Sequence, residues 1–141
     1  MDIAEALTHA RGTKNGVLVT QRANGRPQLS NIAHAVDDAG VIRISITADR
    51  AKAKNLARTP VASLYVSRPD FWAYVVIDAD AELTPPASAE DDATVDELVA
   101  YYRAVAGEHS DWDDYRRAMV ADKRMVVRLR PTHAYGMWGD A

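Results

Sequence analysis

The chain contains no cysteine. That absence excludes a disulfide framework, a thiolate zinc site, an iron–sulfur cluster and a cysteine nucleophile. No apolar run approaches the ~18 residues of a membrane-spanning helix. The first residues, Met1 to Arg11, place Asp2 and Glu5 early and hold no long apolar stretch. No secretory signal is therefore expected, and the cytoplasm is the default location. Familiar catalytic signatures are missing as well. There is no G-x-G-x-x-G, no P-loop, no G-x-S-x-G elbow and no H-E-x-x-H. The four histidines (His9, His34, His109, His133) are isolated and lack metal-ligand spacing. They are expected to be packed or surface residues, and no metal is expected. A net charge of -3 does not suit a general nucleic-acid binder.

What is present is a globular composition. Of 141 residues, 48% are apolar and 26% charged. A chain of this size forms one domain, here residues 1–141, and buries roughly two-thirds of its unfolded surface. Its charges are unevenly placed. Arg43, Arg50, Lys52, Lys54 and Arg58 cluster with one acid, Asp49, among them. From Asp78 to Asp114 acids dominate and Arg103 is the one base. A short basic cluster fits a small anionic ligand better than a long polyanion.

The pattern predicts an antiparallel protein. Ile3 to His9 reads as a short helix. Val17 to Thr20 is a β-branched run, and Asn24-Gly25 after it predicts a type I′ hairpin turn. A second strand runs from about Pro27 to Val36, followed by a turn at Asp37-Asp38-Ala39-Gly40. In the third strand, Val41 to Thr47, Ile42, Ile44 and Ile46 face the core, and Arg43, Ser45 and Thr47 face away. Arg50 to Arg58 reads as a helix with Asp49 as N-cap, ended by Thr59-Pro60. Val61 to Val66 and Trp72 to Leu83 are the next strands. Helices follow at Asp91 to Ala106 and from Ser110, as cap, to about Ala121. A last strand starts at Met125 and extends past Pro131 toward Trp138. Six strands in hairpin succession, with flanking helices, predict a mainly β, α+β chain folded as a small closed or split barrel.

Two stretches carry chemistry. The polar face of Ser45 and Thr47 leads into Asp49-Arg50-Ala51-Lys52-Ala53-Lys54-Asn55. In a helix Arg50 and Lys54 share one side, and Lys52 sits near the start, where free N–H groups and the dipole favour phosphate. By composition alone this is an ordinary basic surface helix; the polar strand before it points to an anion site. In Gly25-Arg26-Pro27-Gln28-Leu29-Ser30-Asn31, Gln28 and Ser30 share a strand face and Asn31 takes the other. Their amides and hydroxyl suit the heteroatom edge of a flat ring, or a polar edge strand facing water.

These two stretches, with Asn55-Leu56 and the block Gly107-Glu108-His109-Ser110-Asp111-Trp112-Asp113-Asp114-Tyr115, resemble the pyridoxamine 5′-phosphate oxidase-like split-barrel family. The branch most resembled is the actinobacterial one that uses the deazaflavin coenzyme F420. The resemblance runs over nearly the whole chain, and the Gly107–Tyr115 block is its most specific part.

The resemblance implies a six-stranded split β-barrel that forms a homodimer, with cofactor sites in grooves between subunits. The cofactor phosphate then falls at Arg50, Ala51 and Lys52, with Lys54 or Asn55 nearby. The ring neighbours Gln28, Ser30, Asn31, Ser45 and Ile46, and Trp72, Tyr74 and Val75 correspond to a segment given by the partner subunit. True pyridoxamine phosphate oxidases grip the substrate phosphate with a C-terminal arginine and histidine. Residues 131–139 hold no matching pair, so oxidation of pyridoxamine phosphate is not implied. The expected activity is hydride transfer between reduced F420 and a small-molecule acceptor. The alternatives are an FMN flavoprotein of the same fold and a non-catalytic F420 carrier. Lys54 and Arg58 favour F420, whose tail is acidic.

Overall fold

The computed structural model describes residues 1–139, so the last two positions of the expected 1–141 domain lie outside it. The chain runs α1 (Ile3–Arg11), β1 (Asn15–Gln21), β2 (Pro27–Ala33), β3 (Ala35–Val36), β4 (Ile42–Thr47) and α2 (Ala51–Arg58). It continues with β5 (Val61–Ser67), β6 (Tyr74–Leu83), α3 (Ala93–Ala106), α4 (Trp112–Ala121) and β7 (Arg124–Met137). All strand pairs are antiparallel, in the order β2-β1-β5-β6-β7-β4-β3.

The strands at the two ends of that order, β2 and β3, are consecutive in the chain. One extended run pairs with β1 as far as Ala33 and with β4 from Ala35. The sheet must therefore curl until its ends approach, which makes a split β-barrel with flanking helices. The single strand expected over Pro27 to Val36 is two strands, and the sheet has seven rather than six. The break falls at His34, whose N–H donates to Lys14 O (2.8 Å) and whose buried ring bonds Ala10 O (2.8 Å).

Inside the barrel, Ile42, Ile44 and Ile46 are buried with Leu18, Leu64 and Val127. α1 closes this core with Ala6, Leu7 and Ala10, and α2 with Ala53 and Leu56. A reciprocal capping box starts α1: Glu5 N–H donates to Asp2 (2.8 Å) and Asp2 N–H to Glu5 (3.2 Å). α3 and α4 form a second core with the other side of β7, built on Leu98, Tyr115 and Val126.

Several local expectations are corrected. The Asn24-Gly25 hairpin is not type I′, because only Gly25 has positive φ (85°). Gly25 N–H donates to Arg22 O and Arg22 N–H to Arg26 O, the type I turn with a bulged glycine. Asp49 does not cap α2; the N-cap is Arg50, whose side chain makes no capping bond. Asp111 caps α4 in place of Ser110, and Asp92 caps α3. β6 starts at Tyr74, two residues late, because Phe71 turns the chain with φ 79°. β7 does run past Pro131, with a register shift opposite Asp78 and Ala79. Among the described residues no helix is long and apolar enough to cross a membrane.

Candidate functional site

The seam of the barrel lies between β2 and β4, which are not hydrogen-bonded to each other. A cavity of about 440 Å³ fills it. Gln28 and Ser30 line it from β2, Ile46 and Thr47 from the end of β4. Arg50, Ala51 and Lys52 line it from the start of α2, and Arg124 from the start of β7. The fold puts them there for local reasons. Alternation along β2 sends Gln28 and Ser30 to the seam and Leu29 to solvent, where it is 60% exposed. α2 starts four residues beyond Thr47, so its first turn opens onto the strand end.

The cavity is cationic and its cations are free. Arg50, Lys52 and Arg124 take part in none of the ion pairs among the described residues. The first turn of α2 holds no acid, so its N–H groups and dipole add to the positive field. Burial, and then the charges of Arg50 and Arg124, push the Lys52 ammonium below the ordinary lysine range. Two polar atoms here are buried without a hydrogen-bond partner: Thr47 Oγ1 and Arg124 Nε. Such atoms, in a roomy polar cavity, fit an oxyanion, and a phosphate-bearing cofactor supplies one.

Of the residues expected at the site, Gln28, Ser30, Ile46, Arg50, Ala51 and Lys52 meet in this cavity. Ser45 borders it, with its Oγ 3.5 Å from Arg124 Nη1. Asn31 lines a separate groove of about 490 Å³ with Thr13, Tyr65 and Ser67. Asn55 is buried behind the helix start, donating to Thr20 and accepting from Arg58. Trp72 is 78% exposed at the β5–β6 turn. Tyr74 stacks on Tyr65 with ring centroids 5.7 Å apart. Val75 is fully buried in the barrel. None of these last three lines the cationic cavity of its own chain. Arg58 donates to Gln21 O (2.8 Å) and to Asn55 Oδ1 (3.0 Å), so its charge is engaged away from the cavity.

Thr47 and Arg124 are the additions. Thr47 lay on the polar face of its strand, which was a usable signal. Arg124 precedes the last predicted strand, and only the pairing of β4 with β7 brings it to the site.

Fold and cavity together define a split-barrel protein with a cationic cavity at its seam. The sequence profile of the pyridoxamine 5′-phosphate oxidase family matches residues 4–138, and the chain belongs to that family. Solved structures share the fold. A conserved hypothetical protein of Mycobacterium tuberculosis is 23% identical, covering 97% of this chain and 84% of its own, with a TM-score of 0.74. An F420 reductase is 24% identical, covering 91% and 94%, with a TM-score of 0.71. The heme storage protein HutZ of Vibrio cholerae is 18% identical, covering 97% and 96%, with a TM-score of 0.69.

Proposed function

We propose that this protein binds coenzyme F420 in the seam cavity and acts as an F420-dependent oxidoreductase on a small-molecule acceptor. The observation that carries the reading is the set of unpaired cations, Arg50, Lys52 and Arg124, around two buried polar atoms without partners. An F420 reductase of the same fold supports the choice of cofactor. When bound, the deazaflavin supplies the hydride chemistry. The chain's own residues bind and orient. Arg50, Lys52 and the N–H groups at the start of α2 hold the phosphate, and Lys54 lies exposed beside them. Gln28 and Ser30 offer an amide and a hydroxyl to the ring edge, and Ser45 and Ile46 border it. No side-chain nucleophile is needed for hydride transfer. The lining lacks histidine, tyrosine, cysteine and methionine, so it is a poor fit to heme iron.

In this reading the protein is a homodimer. Leu29, Phe71, Trp72, Tyr135 and Met137 are large apolar side chains left exposed. Pairing two copies covers them and brings Trp72 and Tyr74 of the partner chain toward the cavity, while Val75 stays buried in its own barrel.

FMN is the second reading, and one observation favours it. Arg58 is committed to Gln21 and Asn55, which leaves Lys54 as the one extra cation for an acidic tail. Side-by-side titration with F420 and FMN decides. Tighter binding of F420 supports the proposal, and tighter binding of FMN overturns it. Re-oxidation of reduced F420 over a panel of acceptors then separates an enzyme from a carrier, which binds without turnover.

A further inference from the structure

The ladder between β3 and β4 stops one step short of the cavity. Asp37 N–H donates to Val41 O, and Ala35 pairs with Arg43. Hydrogen-bonded pairs recur at every second residue of an antiparallel ladder, so the next would join Ala33 to Ser45. It does not form. Ala33 pairs with Asn15 on β1, and Ser45 with Val126 on β7. His34 N–H points to Lys14 O, so the carbonyl of Ala33, one residue back, points the other way, into the seam. A side chain from α3 occupies the gap. Tyr101 donates its hydroxyl to Ala33 O (2.8 Å), and the phenol oxygen takes a hydrogen bond from the Ser45 backbone N–H. Burial pushes the phenol above the ordinary tyrosine range, so it keeps the proton it donates.

α3 carries this hydroxyl on a fixed mount. Glu97, one turn before Tyr101 on the same helix face, accepts from Arg43 Nε on β4 (2.9 Å) and from Arg128 Nε on β7 (2.8 Å). Tyr101 reaches beyond these paired strands to the fork where β2 and β4 part. The fork adjoins the cationic cavity: Ser45 Oγ is 3.5 Å from Arg124 Nη1, and Ile46 is in the lining. A hydroxyl that donates to one strand and accepts from the other ties the two together. It also keeps them from bonding directly, because it engages both groups that a direct bond needs. We infer that Tyr101 is a positioning residue: its hydroxyl holds β2 and β4 further apart than the ~4.8 Å of paired strands, and so sets the width of the seam for a flat ring. The inference rests on the reading of the cavity as a cofactor site. It gives α3 a task that the cations do not perform, since they grip the anion while the strand spacing decides how the ring lies.

The test compares wild type with Tyr101→Phe, which keeps the packed ring and loses the hydroxyl. Amide exchange by NMR reads the fork without ligand. In wild type the Ser45 amide should be as protected as the β4 amides bonded to β7. In Tyr101→Phe it should exchange at least about tenfold faster while those stay slow. Calorimetry with F420 and with FMN reads the site. Affinity for whichever cofactor binds should fall about fivefold, the worth of one hydrogen bond. The salt dependence of binding should keep its wild-type slope, because Arg50, Lys52 and Arg124 stay in place. Unchanged cofactor affinity overturns the inference, and so does an unchanged Ser45 amide. A flattened salt slope overturns it too, since that is general damage to the site and not a change of spacing. Should Tyr101→Phe not fold, wild type decides: a protected Ser45 amide supports the inference, and a freely exchanging one overturns it. The cofactor reading fails separately. A wild type that binds neither F420 nor FMN sinks that reading, and the Ser45 amide still decides whether Tyr101 holds the strands.

Discussion

Asn55 donates from Nδ2 to Oγ1 of Thr20, 3.2 Å away, and both side chains are buried. This bond ties α2 to β1 directly behind the residues that line the cavity. Its partner on the other side is Arg58, which donates to Asn55 Oδ1. Asn55→Ala leaves the Thr20 hydroxyl buried without its donor. It should lower stability by about 1–3 kcal/mol. Urea unfolding of the two proteins measures this. An unchanged midpoint would show that the bond holds nothing.

Lys52→Ala should behave in the opposite way. Among the described residues Lys52 makes no ion pair, and it lies half-buried beside two arginines, so its removal relieves repulsion more than it breaks packing. Stability should move by less than ~0.5 kcal/mol. A charge-assisted bond to phosphate is worth about 1.5–3 kcal/mol, so F420 affinity should fall roughly ten- to hundredfold. One pair of binding isotherms separates a ligand residue from a basic surface helix.

Cofactor affinity should also fall as salt rises. The cavity opens to solvent, and screening acts over about 10 Å at 0.1 M salt. Titrations of wild type at low and high ionic strength give the slope, which should flatten in Lys52→Ala. A wild-type affinity indifferent to salt would remove the charges of Arg50, Lys52 and Arg124 from the binding step.

Much of this was legible because periodicity is local. The alternation of Ile42, Ile44 and Ile46 fixed which face of β4 is core, and so put Thr47 on the other. The basic residues at 50 and 52 lie just after that strand, so their meeting with it needed no long-range knowledge. The break at His34 was not legible. Nothing in residues 27–36 announces that Ala33 and Ala35 serve opposite ends of the sheet, because that is decided by partners distant in the chain. Arg124 was missed for the same reason: its place follows from register with Thr47. Asn55 is placed near the cofactor phosphate by the family resemblance alone. Its position in α2 instead turns it inward, where Thr20 supplies a partner that the local pattern does not reveal.

The Glu97 network makes the acid side of the stability curve sensitive. Hydrogen bonding from Arg128 first, and from Arg43, holds the Glu97 carboxyl below the ordinary glutamate range against the opposing effect of burial. A carboxylate with a depressed folded-state pKa stabilises fully above its unfolded value, about 4.3, and that contribution is lost as pH falls through the lower folded value. Stability should therefore drop below about pH 4.3. Glu97→Gln should lower stability at pH 7 and flatten this acid limb. Thermal unfolding from pH 3 to pH 7 reads both. Parallel curves for the two proteins would assign the acid sensitivity to other carboxylates.

The outer face of the sheet should carry the contact between two copies. Asn31, Val17, Tyr65, Val76 and Tyr135 stand in one row across five strands, facing away from the barrel core. Tyr74 and Met137 pair at its edge, and Met137 is 65% exposed. Beside them the β5–β6 turn holds Phe71 at φ 79°, a strained value for an aromatic residue. Asp70 fixes this turn through two bonds from Arg68 and one from Trp72 N–H. Its aromatic tip stays outside the barrel, with Phe71 64% and Trp72 78% exposed. Apolar surface presented in one contiguous, rigid patch is what a symmetric pair of subunits buries. Sedimentation should give a species of about twice 15.5 kDa at micromolar concentration. Met137→Glu with Tyr135→Glu should shift it to monomer while leaving the circular dichroism of the barrel in place, since both side chains lie outside the core. If the cavity takes residues from the partner, the same double variant should also lose cofactor affinity. A wild-type protein that sediments only as a monomer would leave this face without a partner copy and the cavity complete within one chain.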